Sequence, residues 1–200
     1  MNLTETLKLL AAEPDADLDI AEVALLIAAD EYPDLDVPIY LARLDSLADE
    51  LAPRLAGSLA DRVTELSALL FEEHGLAGNG GEYYDPRNSY LCDVLDRKLG
   101  IPITLSVVAL AVGQRAGLDV NGVALPGHFV AMASEGGGVV LFDPFNGGQL
   151  LTVGACETLV SAVVGSPFRV TPEVLRPAPP GAVALLGLGS LSAIRRRRAY

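Results

Sequence analysis

From Ile103 to Val112 the chain reads ITLSVVALAV, ten residues without a charge, with only Thr104 and Ser106 breaking an apolar surface. A helix that is apolar on every side belongs in an interior. Pro102 precedes the run, at a position that suits the first helical turn, and Gly117 follows it. The spacing therefore predicts a central helix from Pro102 to about Gly117, which the rest of the chain must cover.

What comes before it reads as helical. Apolar residues recur at three- and four-residue spacings in Leu18 to Ala29, Leu41 to Leu55 and Leu59 to Phe71. Asp36 before Val37-Pro38 is a start signal, and Ser58 with Asp61 forms a capping box with Asp in place of Glu. Gly75 closes the last of these, just past His74. Residues 75–87, rich in glycine, form a loop, after which Asn88 or Ser89 is expected to cap a short helix over Tyr90 to Leu99.

Beyond Gly117 the period changes. Asp119 to Leu125, His128 to Ala133 and Val139 to Asp143 alternate, and Pro126-Gly127 and Ser134 to Gly138 separate them, as in a small antiparallel sheet. Thr152 can cap a helix to Val164. A stretch with five prolines, Ser166 to Pro180, then leads to a last short helix weakened by glycine. The expected fold class is α+β, a buried central helix packed on a small antiparallel sheet. It is divided into an N-terminal helical portion (1–75), a core (76–176) and a tail (177–200) within one compact unit.

Composition limits the chemistry. The net charge of −12 argues against nucleic acid, whose phosphates are met by clustered Lys and Arg. Arg195 to Arg198, the one basic run, reads as a solvated helix end. The uncharged runs Leu99 to Gln114 and Pro177 to Ile194 fall short of the roughly 20 apolar residues of a membrane helix. The first fifteen residues lack the pattern of a secretory signal. The expectation is a soluble, cytoplasmic protein that binds neither membrane nor nucleic acid. With two cysteines and two histidines, far apart in sequence, neither a structural metal site nor a disulfide framework is expected, and no cofactor is implied.

Geometry narrows the search. A five-residue hairpin loop centred on residue 136 places His128 across from position 144, beside Asp143. A carboxylate bonded to one ring nitrogen orients the other as a base, although the same pair can also be a polar end to a sheet. The matching nucleophile belongs at the start of the buried helix, where orphan N–H groups activate a thiol. Gly100-Ile101-Pro102-Ile103-Thr104 offers no cysteine there.

Four motifs in order, Tyr83-Tyr84-Asp85-Pro86-Arg87-Asn88-Ser89-Tyr90-Leu91, Gly100 to Ser106, Pro126-Gly127-His128-Phe129 and Phe142 to Gly148, resemble the SirB-type family of transglutaminase-like proteins. The resemblance covers about residues 40–177. It implies a papain-like transglutaminase core whose acyl-transfer triad is a Cys at the start of the central helix, a His on the second strand and an Asp on the third. His128 and Asp143 match the latter two, and the Cys position falls on Pro102. The expected protein is therefore a catalytically inactive module that binds a peptide or protein segment. The alternative is an active cysteine acyl-transferase or protease that uses a displaced thiol such as Cys92.

Cys92 has Leu95 and Leu99 at three and seven residues, which also fits core packing, and Cys156 reads as packing. His74, beside Glu72 and Glu73, reads as a surface residue. Asn88, Arg87, Thr104 and Asn146 are the candidate binding residues. Asn88 can equally be a cap, Arg87 a partner for a carboxylate, and Thr104 a hydroxyl bonded to its own helix. The resemblance also implies a helical, tetratricopeptide-like continuation from about Pro180, and the sequence after that point reads as a truncated version of it.

Overall fold

The computed structural model describes residues 18–198, with side chains to residue 192, together with Glu5, Lys8 and Ala12. The rest of the opening segment and the side chains of Arg195 to Arg198 lie outside the described residues, and with them the readings made of both.

Three helices form the first layer. Asp19 caps α1 (Ile20–Glu31) by accepting from Ala21 N, and Asp36 caps α2 (Val37–Leu51) by accepting from Ile39 N, with Pro38 in the first turn. Ser58 and Asp61 close the expected capping box on α3 (Leu59–Ser67). That helix loosens into a π-helical segment, Ala68–Glu73, which buries Leu69, Leu70 and Phe71 before His74 and Gly75 end it. The loop after Gly75 holds a two-residue strand, β1 (Ala77–Gly78). It pairs in parallel with β2 (Leu99–Gly100), immediately before the central helix.

The helix between these strands, α4 (Leu91–Arg97), differs from the expectation. Tyr90 occupies its N-cap without a side-chain capping bond, its hydroxyl donating instead to Glu31, and Asn88 and Ser89 stand before it at the end of a 3₁₀ turn, Pro86–Asn88. The backbone there is already turned by Asp85, whose carboxylate accepts from Arg87 N, so no cap is required of Asn88.

The central helix α5 (Pro102–Arg115) is buried from Pro102 through Gly113, as its uncharged sequence requires. At its far end Arg115 binds Asp19 and Asp45, tying α5 to α1 and α2. Its other side rests on an antiparallel sheet ordered β3 (Val120–Leu125), β4 (His128–Glu135), β5 (Gly138–Asp143) and β6 (Gln149–Leu151). Val120, Phe129, Ala131, Ala133 and Phe142 point at the helical layer. Val123, Leu125, Val130, Met132 and Leu141 point the other way, onto α6 (Val153–Val164) through Cys156 and Val160. Thr152 caps α6 as expected.

Two expectations are corrected here. The hairpin between β4 and β5 turns on two residues, Gly136 and Gly137, both at positive φ, and not on five. This is the turn whose twist matches paired strands, and glycine at both central positions permits it. The last helix, α7 (Pro180–Arg198), is 19 residues long and not short. Val183, Ala184 and Leu191 are buried in the main core, and that burial sustains a helix its glycines would weaken in isolation. No helix among the described residues is long and apolar enough to cross a membrane.

Candidate functional site

Strand register sets the site. With Ala131 opposite Phe142 and Glu135 opposite Gly138, the pairing continues to place Val130 opposite Asp143. His128 lies two residues along β4 and so on the same face as Val130, diagonal to Asp143. The imidazole Nε2 is 2.9 Å from Asp143 Oδ2, and the two side chains are 10% and 1% exposed. The sequence anticipated this neighbourhood although it misjudged the loop.

Asp143 is fully engaged. Oδ1 accepts from the backbone N–H groups of Phe145 and Asn146, at 3.0 and 3.3 Å, in the 3₁₀ turn Pro144–Asn146 that the aspartate caps. Oδ2 accepts from Asn146 Nδ2 at 2.8 Å as well as meeting His128. Burial alone would push the carboxyl up, but the bonds from His128 and Asn146 outweigh it and hold the group below its ordinary range. An ionised carboxylate only accepts, so His128 Nε2 donates to it and Nδ1 is the ring nitrogen turned away from Asp143. The arrangement is that of an oriented base.

Aromatic rings set the imidazole's edge. Phe145 lies edge-on to His128 with centroids 6.2 Å apart, and Tyr83 lies edge-on to Phe145 at 6.1 Å. Gly78 of β1 makes room for this. A Cβ there would come within 2.5 Å of the Phe145 carbonyl oxygen and 2.7 Å of its ring.

A cleft of about 250 Å³ opens beside His128, and its lining includes Tyr83, Pro102, Ile103, Ala124, Leu186 and Ser190. Pro102 sits at the first position of α5, so the helix start does face the imidazole's cleft, as the family resemblance implied. At that point there is a pyrrolidine ring, with neither a nucleophile nor an N–H.

The other candidates lie elsewhere. Cys92 is 4% exposed, packed within the helical core and absent from the cleft wall. Burial, then the charge of Asp93, pushes its thiol up to about 11. Cys156 is buried under the sheet, and burial raises its thiol also. His74 Nε2 meets Glu50 at 3.1 Å on the far helical surface.

Asn88 is completely buried. It donates to Glu82 O and Tyr83 O and accepts from Asn79 Nδ2 at 3.0 Å, so its side chain holds the loop that carries Tyr83. Thr104 accepts from Ile101 N and donates to Asn88 O at 2.7 Å, joining that loop to the start of α5. Arg87 is an exposed partner of the buried Asp85, which Arg97 also reaches. The structure thus brings His128, Asp143 and Asn146 together as one unit. Asn88, Thr104 and Arg87 shape the cleft from behind.

The sequence reading missed Tyr83, Ala124, Phe145, Leu186 and Ser190. Tyr83 and Phe145 lie inside the motifs it used. Leu186 and Ser190 carry no local signal, because only the return of α7 brings them to the cleft.

The transglutaminase-like superfamily model matches residues 39–185. A UPF0162 protein of Xylella fastidiosa is 37% identical over 179 residues, covering 85% of this chain and 62% of the relative, and UPF0162 protein PA3419 of Pseudomonas aeruginosa is 31% identical over 179 residues, covering 87% and 63%. F-box only protein 21 of Homo sapiens is 28% identical over 192 residues, covering 79% of this chain and 30% of that protein. The chain thus spans a little over three fifths of the length of these two bacterial relatives. No solved structure matches it. Buried central helix, four-stranded sheet and His–Asp pair agree with the family match, and the chain belongs to the transglutaminase-like superfamily.

Proposed function

We propose that the chain is a SirB-type transglutaminase-like module without acyl-transfer activity, which binds a protein or peptide segment in the cleft beside His128 and acts in the cytoplasm. One observation carries the reading: a fully bonded His128–Asp143–Asn146 unit faces a helix start at which Pro102 replaces the nucleophile. Such a unit orients an imidazole but has no thiolate to activate, and an oriented imidazole still recognises a hydrogen-bond donor. The reading in which Cys92 supplies the nucleophile loses ground on geometry and on acidity alike. That thiol is buried away from the cleft wall and held protonated at neutral pH.

The test pairs turnover with binding. The full chain is incubated with glutamine peptides and a fluorescent primary amine, and separately with an array of capped nonapeptides. Expected are no amine incorporation, no peptide cleavage, and retention of a subset of peptides that His128→Ala and the cleft-filling Leu186→Trp both lose. Amine incorporation that requires His128 and stops when Cys92 is replaced by Ala would overturn the reading.

A further inference from the structure

On the outer edge of β3 the carbonyls of two residues are engaged, and at a third residue both backbone groups are open. Ser134 N donates to Asp119 O, so residues 121, 123 and 125 exchange bonds with β4 and residues 120, 122 and 124 direct their N–H and C=O groups away from it. Two of these outward residues are in use. Val120 O accepts from Gln114 Nε2 at 2.7 Å, and Gly122 O accepts from Ala178 N at 2.8 Å. The chain's own segment before α7 thus already lies on this edge, then turns off at Pro180 into the helix. Ala124, next in the series, is exposed and lines the cleft. Neither its N–H nor its C=O is bonded among the described residues.

We propose that an extended segment of a partner protein adds to the edge of β3 at Ala124, continuing the pairing that Ala178 begins, and delivers one neutral, apolar side chain into the cleft. This rests on the peptide-binding reading above and names its recognition mode. An open strand edge supplies affinity through main-chain bonds, and the pocket beside it supplies specificity. The lining selects the side chain. Ile101, Pro102, Ile103, Leu125 and Leu186 are apolar, and among the described residues no Asp, Glu, Lys or Arg lies on the cleft wall. A charged side chain entering it would be desolvated without a counter-ion. Tyr83, Ser190 and the free nitrogen of His128 remain to meet the backbone polar groups of the occupant.

The experiment uses the full chain and an array of capped nonapeptides with Leu, Ile, Phe, Asp or Lys at the centre, read by fluorescence polarisation. Ala124→Pro deletes the outward N–H, and an edge position whose N–H faces away from the sheet is one that tolerates proline. Ala124→Ser keeps the N–H. Expected are binding of Leu, Ile or Phe centres over Asp or Lys, a loss of roughly tenfold in Ala124→Pro, and little change in Ala124→Ser. N-methylation of a bound peptide, scanned along its backbone on wild-type protein, weakens binding at one interior position, the residue whose N–H meets the Ala124 carbonyl, and little at its two neighbours. The scan needs no variant to fold.

Equal binding by wild type and a folded Ala124→Pro, or a scan in which no single interior N-methyl group weakens binding, overturns the edge pairing. If Leu186→Trp still abolishes binding in that case, the peptide-binding cleft stands without it. Retention of no peptide by wild type removes both readings. Preference for Asp or Lys centres overturns the apolar occupant.

Discussion

Asn146 Nδ2 lies 2.8 Å from Asp143 Oδ2, the same oxygen that His128 Nε2 reaches from the other side. The asparagine thereby fixes the rotation of the carboxylate, and the carboxylate fixes the imidazole. Asn146→Ala is expected to leave the fold intact at a cost of about 1 kcal/mol in urea unfolding. Its specific mark is in the His128 ring resonances, which broaden or split in NMR spectra once the carboxylate can turn.

Asp143 sets an acid limit. Its folded-state pKa is lowered, so it contributes stability above the ordinary carboxylate range and loses that contribution as pH falls through the lowered value. Asp143→Asn is expected to be less stable than wild type by roughly 1–3 kcal/mol at pH 7, with the gap narrowing below about pH 4. Urea midpoints measured for both proteins from pH 7 to pH 3 check this. A constant gap would mean that the side chain's charge contributes nothing.

Pro102→Cys restores a thiol to the first position of α5. A thiol at a helix N-terminus, beside an oriented imidazole, ionises more readily than a buried one. Iodoacetamide at pH 7 is expected to label position 102 at least roughly tenfold faster than Cys92, whose thiol is pushed up to about 11. Intact-mass analysis with peptide mapping reads both sites. Adding His128→Ala is expected to remove most of the advantage.

Asn88→Ala removes the side-chain bonds to the carbonyls of Glu82 and Tyr83 and leaves Nδ2 of the buried Asn79 without its partner. A loss of roughly 1–3 kcal/mol is expected, the cost of one orphaned buried group. Because that loop carries Tyr83, peptide affinity falls as well, under conditions where the variant is still folded.

Gly127→Ala combines two penalties. Gly127 has φ +73°, and a Cβ there would come within 2.3 Å of Val163 Cγ1. Left-handed backbone and an overfilled contact together are expected to cost roughly 2–4 kcal/mol in thermal or urea unfolding. The neighbouring His128 shifts with the strand end, so the positions of its ring signals change too.

Several elements were legible because local chemistry decides them. The uncharged run from Ile103 to Val112 could only be interior, and Asp36, Ser58 and Thr152 cap the helices their positions announce. His128 and Asp143 were legible as neighbours because a hairpin loop fixes position along the strands to within a residue, whereas the face they share depends on the register that the two-residue turn sets. The two-residue turn was obscured by three consecutive glycines, Gly136 to Gly138, any of which accepts a positive φ. Asn88 illustrates the opposite limit. Its type suits a helix cap, but its environment is a buried hub assembled from Asn79, Glu82 and Thr104, and no local pattern reports that. Leu186 and Ser190 were out of reach for the same reason, since tertiary burial of Val183 and Leu191 is what returns α7 to the cleft.

Because α7 supplies Leu186 to the cleft wall and Val183 and Leu191 to the core, one helix belongs to both. The shape of that wall is therefore tied to the packing that holds the fold together, and a substitution that loosens Val183 or Leu191 in the core is felt at the cleft as well as in stability.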